Sequence, residues 1–155
     1  DGTITAANAS SISDGAAALV MTRASVAEKL GLKTVARVVA TAGHAHEPSK
    51  FTTAPVPAMR KVLDKAGWTV ADVDLFEVNE AFAVVAMAPI KELGIDHARL
   101  NVNGGACALG HPIGCSGARL VVTLAYALKA RGGKKGVASL CIGGGEATAV
   151  AIELV

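Results

Sequence analysis

ARLVVTLAYAL, residues 118–128, would be apolar around nearly its whole circumference as a helix, with only Arg119 and Thr123 as interruptions. A helix of that kind is usually buried on all sides. One layer of helices on an open sheet cannot bury an outer helix in this way. The stretch therefore asks for a second covering layer, from this chain or from a partner. The bland alternative is an ordinary helix with a wide apolar face. The periodic pattern spans residues 116–130 and stops at Arg131-Gly132-Gly133.

The flanking sequence supplies the rest of an α/β pattern. Residues 136–141 and 147–154 read as two strands after this helix. Upstream, residues 16–21, 35–42 and 73–78 read as strands, the first of them a compact apolar run. Residues 25–30, 57–66 and 81–93 read as helices, stopped by Gly31, Gly67 and Gly94. Residues 1–14, 43–55 and 100–112 read as loops, rich in Gly, Ser, Asn and Pro. The order predicts a single α/β layered domain over residues 1–155.

Composition excludes several functions. The 155 residues are 52% hydrophobic and 3% aromatic, with a net charge of +2 and no charge run. That pattern speaks against nucleic-acid or membrane-surface partners. No apolar run reaches the roughly 18 residues that span a bilayer. No signal peptide is visible. The opening DGTITAANASS has no Met and reads as the interior of a longer protein. Three cysteines, an odd number, point to reduced thiols and a cytoplasmic setting rather than a disulfide framework.

Three clusters could carry chemistry: Asn79-Glu80-Ala81-Phe82, then NGGACALGHPIGCSGAR from Asn103 to Arg119, then Cys141-Ile142-Gly143-Gly144-Gly145. Ligands of α/β sheets bind beyond the carboxyl ends of strands, where such loops lie. His111 sits among Gly110, Pro112 and Gly114, and His titrates near neutrality; a surface or packing role is its alternative. Cys141 is either a core cysteine or a thiol at a strand end, with glycine amides free to face an anion. Asn79 either caps the next helix or presents its amide to an oxygen. Cys107, His111 and Cys115 recur every four residues and suggest a zinc site when Cys141 is added, but the intervening Gly and Pro speak against the helix that would align them. GGGEAT is no dinucleotide fingerprint. His44 and His46, before Glu47, read as a solvated loop.

Taken together, NEAF, GGACALGHPIGCSGAR and CIGGGEATA, in this order and spacing, closely resemble the C-terminal half of thiolases, and NASSISDGAAALVM resembles the segment that opens that half. The resemblance covers essentially the whole chain. It implies two similar mixed α/β halves stacked in five layers, this half a mixed β-sheet with helices on both faces and residues 118–128 as its central helix. It implies an N-terminal half as partner, bearing the acylated cysteine and the loop domain that holds most of the coenzyme A. None of the three cysteines here matches that nucleophile.

By position, the resemblance gives His111 the task of activating the missing cysteine and donating to the thioester oxygen. Asn79 would fix a water in the same oxyanion hole. Cys141 would be the acid/base for carbon–carbon bond formation, and Gly143 would supply an amide to a second oxyanion hole. Ser10, Ala81 and Phe82 would line the acyl-CoA path, and Phe51 falls in the loop that reaches the acyl pocket. The implied activity is condensation of two acetyl-CoA into acetoacetyl-CoA, or its reverse, in a homo-oligomer. Coenzyme A thioesters would be substrates, and no cofactor or metal is implied. A thiolase for longer 3-ketoacyl chains, a ketoacyl synthase-type condensing enzyme and a noncatalytic assembly module are the rivals. The isolated domain would self-associate through Val121, Val122, Leu124, Ala125 and Leu128, left bare by the missing half.

Overall fold

A computed structural model describes residues 2–155. Four strands, β1 (Ala36–Ala45), β2 (Leu75–Val78), β3 (Lys135–Ile142) and β4 (Glu146–Leu154), form one sheet in the order β1-β4-β3-β2. β4 is antiparallel to both its neighbours, whereas β2 and β3 run parallel, so the sheet is mixed. Among the described residues five α-helices accompany it: α1 (Ala24–Lys29), α2 (Pro55–Ala66), α3 (Ala83–Leu93), α4 (Ala106–Leu109) and α5 (Ser116–Arg131).

Strand side chains alternate between faces, and two cores follow from that alternation. On one face, Ala147, Ala149, Ala151, Val137 and Cys141 meet α2 through Met59, Val62 and Leu63, with Val85 of α3 in the same cluster. On the other face, Leu75, Ala138 and Ile152 meet Leu120, Leu124 and Leu128 of α5. The expected helices on both faces are present. A Cβ at Gly136 would stand 2.9 Å from the tip of Leu124, so glycine permits the close seating of α5 on β3.

The structure corrects four expectations. Residues 16–21 form no strand; Val20 and Met21 are 97% and 70% exposed. An apolar run becomes a strand only by sharing a ladder, and this one has no partner in the described chain. The segment expected as a loop at 43–55 instead holds the last three residues of β1 and a 3₁₀ helix, Pro48–Thr53. β1 continues because His44 and Ala45 pair with Ala147 and Glu146. The glycine-rich stretch 100–112 includes α4. Finally, α5 is not bare: Leu124 and Leu128 are fully buried and Ala125 nearly so, all by this chain's own sheet. Val121 and Val122 are half-buried, and Tyr126 is exposed.

Beside α5 an open groove of about 560 Å³ is lined by Thr41, Val121, Leu140, Thr148 and Val150. None of the described helices is long and apolar enough to cross a membrane.

Candidate active site

The site begins where β2 ends. Asn79 is completely buried, and its N–H donates to the Ser139 carbonyl at 3.0 Å, extending the β2–β3 pairing by one residue. It caps nothing, since α3 begins after Phe82. Asn101 moors the glycine-rich loop to the same strand end. Its Oδ1 accepts from Val78 N–H and its Nδ2 donates to the Val78 carbonyl, both at 2.8 Å. Its φ of 50° is one that asparagine tolerates better than most residues. Glu80 grips the loop further on, accepting from Asn101 Nδ2 and from Cys107 N–H, each at 3.1 Å.

So moored, the loop brings His111 back across 32 residues to face Asn79, with Asn79 Nδ2 3.3 Å from His111 Nε2. The His111 N–H donates to the Ser11 carbonyl at 2.9 Å, which fixes the backbone that carries the ring. His111 Nδ1 lies 2.6 Å from Ser116 Oγ, which in turn donates to the Pro112 carbonyl at 3.1 Å. From the first turns of α5, Arg119 donates to Glu77 Oε2 at 3.3 Å and to Asn79 Oδ1 at 3.5 Å.

The charges follow from burial. Glu77 is 1% exposed, and burial pushes its carboxyl up to about 7, against the opposing pull of Arg119. Its Oε1 is buried with no hydrogen-bond partner among the described residues. Burial, and then the nearby Arg119 cation, hold the His111 ring below its ordinary 6.5, which leaves a neutral imidazole at pH 7.

Cys141 and Gly143 lie on the neighbouring strand end and the turn that follows it. Cys141 is buried, and burial pushes its thiol upward. Gly143 is exposed, and its N–H has no protein partner among the described residues. No hydrogen bond among the described residues joins Cys141 to His111 or Asn79.

The residues expected along the acyl-CoA path also meet. Ser10 N–H and Oγ both donate to the Ala81 carbonyl, at 3.1 and 2.9 Å. Phe51 packs edge-on against Phe82, ring centres 6.0 Å apart. The His44–His46 pair is not a solvated loop: both are half-buried, His44 near Lys61 Nζ and His46 Nε2 2.7 Å from the Lys50 carbonyl. Among the described residues no three His, Cys, Asp or Glu side chains group as a metal site would need.

Sequence reasoning missed Glu77 and Asn101 as parts of the site, and gave no role to Glu80, Ser116 and Arg119 within the clusters it named. Glu77 had a readable signal. A lone carboxylate in the apolar strand LFEV must find a partner or lose its charge.

A stability test follows from Glu77. Its folded value, about 7, lies above the ordinary 4.5. The native state therefore holds an extra proton between those values, and this contribution to stability is lost as pH rises through 7. Relative to Glu77→Gln, which has no such proton, the unmodified chain is expected to lose up to roughly 3 kcal/mol between pH 5 and pH 8. Urea unfolding of both proteins at the two pH values measures it. Parallel pH dependences would refute the assignment.

Known proteins share both sequence and geometry. The family model for "Thiolase, C-terminal domain" matches residues 32–154. An acetyl-CoA acetyltransferase of Allochromatium vinosum is 55% identical over 99% of this chain, which spans 39% of that relative. The Bacillus anthracis acetyl-CoA acetyltransferase superposes with a TM-score of 0.96 at 47% identity, over 99% of this chain and 39% of its own. Human mitochondrial 3-ketoacyl-CoA thiolase gives 0.92 at 41% identity, over 100% of this chain and 39% of its own. The chain thus covers about two-fifths of the length of these relatives. By family match, sequence identity and superposition, the chain belongs to the thiolase family and carries that family's C-terminal domain.

Proposed function

We propose that this domain is the C-terminal half of an acetyl-CoA acetyltransferase and supplies the acid–base and oxyanion groups for making or cleaving acetoacetyl-CoA. The observation that carries the reading is the convergence of Asn79 and His111 beyond β2, beside the β3 end that bears Cys141. An N-terminal half supplies the nucleophilic cysteine, and the groove beside α5 is the face it would cover.

In this reading the neutral His111 takes the proton of the nucleophilic thiol. The thiolate attacks the thioester carbonyl of the first acetyl-CoA. The protonated ring and a water held by Asn79 stabilise the oxyanion, and coenzyme A leaves with the proton. Cys141, as thiolate, then takes a proton from the methyl carbon of the second acetyl-CoA. The Gly143 amide stabilises the enolate oxygen, and the enolate carbon attacks the acyl-enzyme, releasing acetoacetyl-CoA and the nucleophilic cysteine as thiolate, which takes up the proton held by Cys141 and so resets both groups. Cleavage reverses these steps, and Cys141 then returns a proton to the departing enolate. The upward push on its thiol favours the protonated form that cleavage uses.

Ser10, Ala81, Phe82 and Phe51 border the acyl-CoA path. The three cysteines are free, as a reducing compartment such as the cytosol would keep them. A second reading, a thiolase for longer 3-ketoacyl chains, is supported by the likeness to the human enzyme.

The test compares this chain alone with a protein that also contains an N-terminal thiolase half. The chain alone is expected to show no thiolysis of acetoacetyl-CoA by coenzyme A, because Cys107, Cys115 and Cys141 are each assigned away from the acyl-accepting role. Restoring the N-terminal half is expected to give turnover. Enzyme-like turnover by the chain alone, or none by a folded protein with both halves, would overturn the reading.

A further inference from the structure

We propose that a one-way chain of hydrogen bonds holds the His111 ring as its Nδ1–H tautomer, which makes Arg119 and Ser116 positioning residues for the base. The inference rests on reading His111 as that base. Arg119 can only donate. Its Nη2 lies 3.5 Å from Asn79 and its Nη1 3.3 Å from Glu77 Oε2. The Asn79 atom facing Arg119 must therefore be the amide oxygen. A flipped amide would set an NH₂ against the guanidinium.

With the oxygen turned to Arg119, Asn79 Nδ2 faces His111 Nε2 at 3.3 Å. Nε2 must then accept, since an N–H there would face another N–H. A neutral ring carries one N–H, which falls on Nδ1, 2.6 Å from Ser116 Oγ. Ser116 Oγ accepts that proton and donates its own to the Pro112 carbonyl at 3.1 Å. A carbonyl can only accept, so the far end agrees with the near one. The serine end is the softer, because its hydroxyl can rotate and the Pro112 carbonyl also accepts from Cys115 N–H. The arginine end has no such freedom.

Burial makes the arrangement costly to break. Asn79 and Ser116 are completely buried, and Glu77, which anchors Arg119, is 1% exposed. A buried donor left facing a donor loses its hydrogen bond and the free energy that bond contributed. The effect is to aim the Nε2 lone pair at the position where a thiol proton would arrive. The long Asn79 contact is one such a thiol could displace. The same clamp keeps the Asn79 NH₂ on the reactive side, as a donor.

Ring-nitrogen NMR of the ¹⁵N-histidine-labelled chain at pH 8 tests this directly. The His111 signals are identified among the four histidines by their loss in His111→Gln. The expected spectrum has a protonated Nδ1 and a bare, far-downfield Nε2. Arg119→Met and Ser116→Ala are each expected to shift the ring toward Nε2–H, whereas Ser116→Thr, which keeps the hydroxyl, retains the original pattern. A proton on Nε2 in the unmodified chain would overturn the inference. So would Arg119→Met and Ser116→Ala both leaving the ring unchanged. If either of these variants fails to fold, the unmodified chain and Ser116→Thr still decide. The measurement is independent of turnover. A full-length enzyme that acylates normally with His111→Ala would refute the catalytic reading and leave the tautomer assignment standing.

Discussion

Cys141→Ala, in a full-length thiolase containing this domain, is expected to lower acetoacetyl-CoA synthesis by at least about 100-fold while acetyl-CoA still acylates the nucleophile. On the proposed function the two half-reactions use different bases. His111 would serve the thiol, held by Asn79 on one side and Ser116 on the other. Cys141 would serve the methyl carbon from a separate strand end, with no hydrogen bond to that group among the described residues. Removing its sulfur deletes the second base and leaves the first intact. His111→Ala is expected to depress both half-reactions. Stopped-flow release of coenzyme A reads the acylation step, and acetoacetyl-CoA absorbance reads the condensation. Normal synthesis by Cys141→Ala would contradict the assignment, and so would loss of acylation in a folded variant.

Gly145→Ala is expected to destabilise the domain by about 2 kcal/mol or more, lowering the melting temperature by roughly 4–8 °C. Gly145 has φ of 100°, a conformation that an L side chain rarely adopts, and an added Cβ would collide with the His46 carbonyl and the backbone at Glu47 and Pro48. Backbone cannot swing aside as a side chain does. The turn also receives a hydrogen bond from His46 N–H at 3.0 Å, so the clash would pull the β1 end away from the β3–β4 hairpin. Its neighbours are internal controls. A Cβ at Gly144 would first meet the Glu146 carboxyl, the far end of a flexible side chain, and one at Gly143 would meet nothing within 4 Å. Calorimetric melting of the three alanine variants should therefore show one large loss and two small ones. Equal melting temperatures would show that the turn relaxes freely.

Part of this protein is decided locally and is legible in its sequence. Gly67, Gly94 and Gly132 take left-handed conformations just past α2, α3 and α5, where the sequence places the helix stops. The β3–β4 hairpin is legible for the same reason, since alternating small and branched residues flank a run of glycines. The motif residues Asn79, His111 and Cys141 stand out because they interrupt those patterns. Their proximity does not. Only the mooring of the loop by Asn101 and Glu80 closes 32 residues of chain onto one amide–imidazole contact.

The misreadings share that cause. Residues 16–21 have a strand's composition without a strand's partner, and a backbone ladder is a property of two segments, never of one. Residues 118–128 look apolar all round, yet Leu120, Leu124 and Leu128 turn to the chain's own sheet and Tyr126 to solvent. Their hydrophobicity is legible in sequence, but which side meets protein depends on where β2 and β3 lie. Ser116, Arg119 and Glu77 are ordinary residues by composition. They matter because hydrogen bonds and buried charges act over about 3 Å, and only the tertiary fold sets distances of that order between residues far apart in the chain.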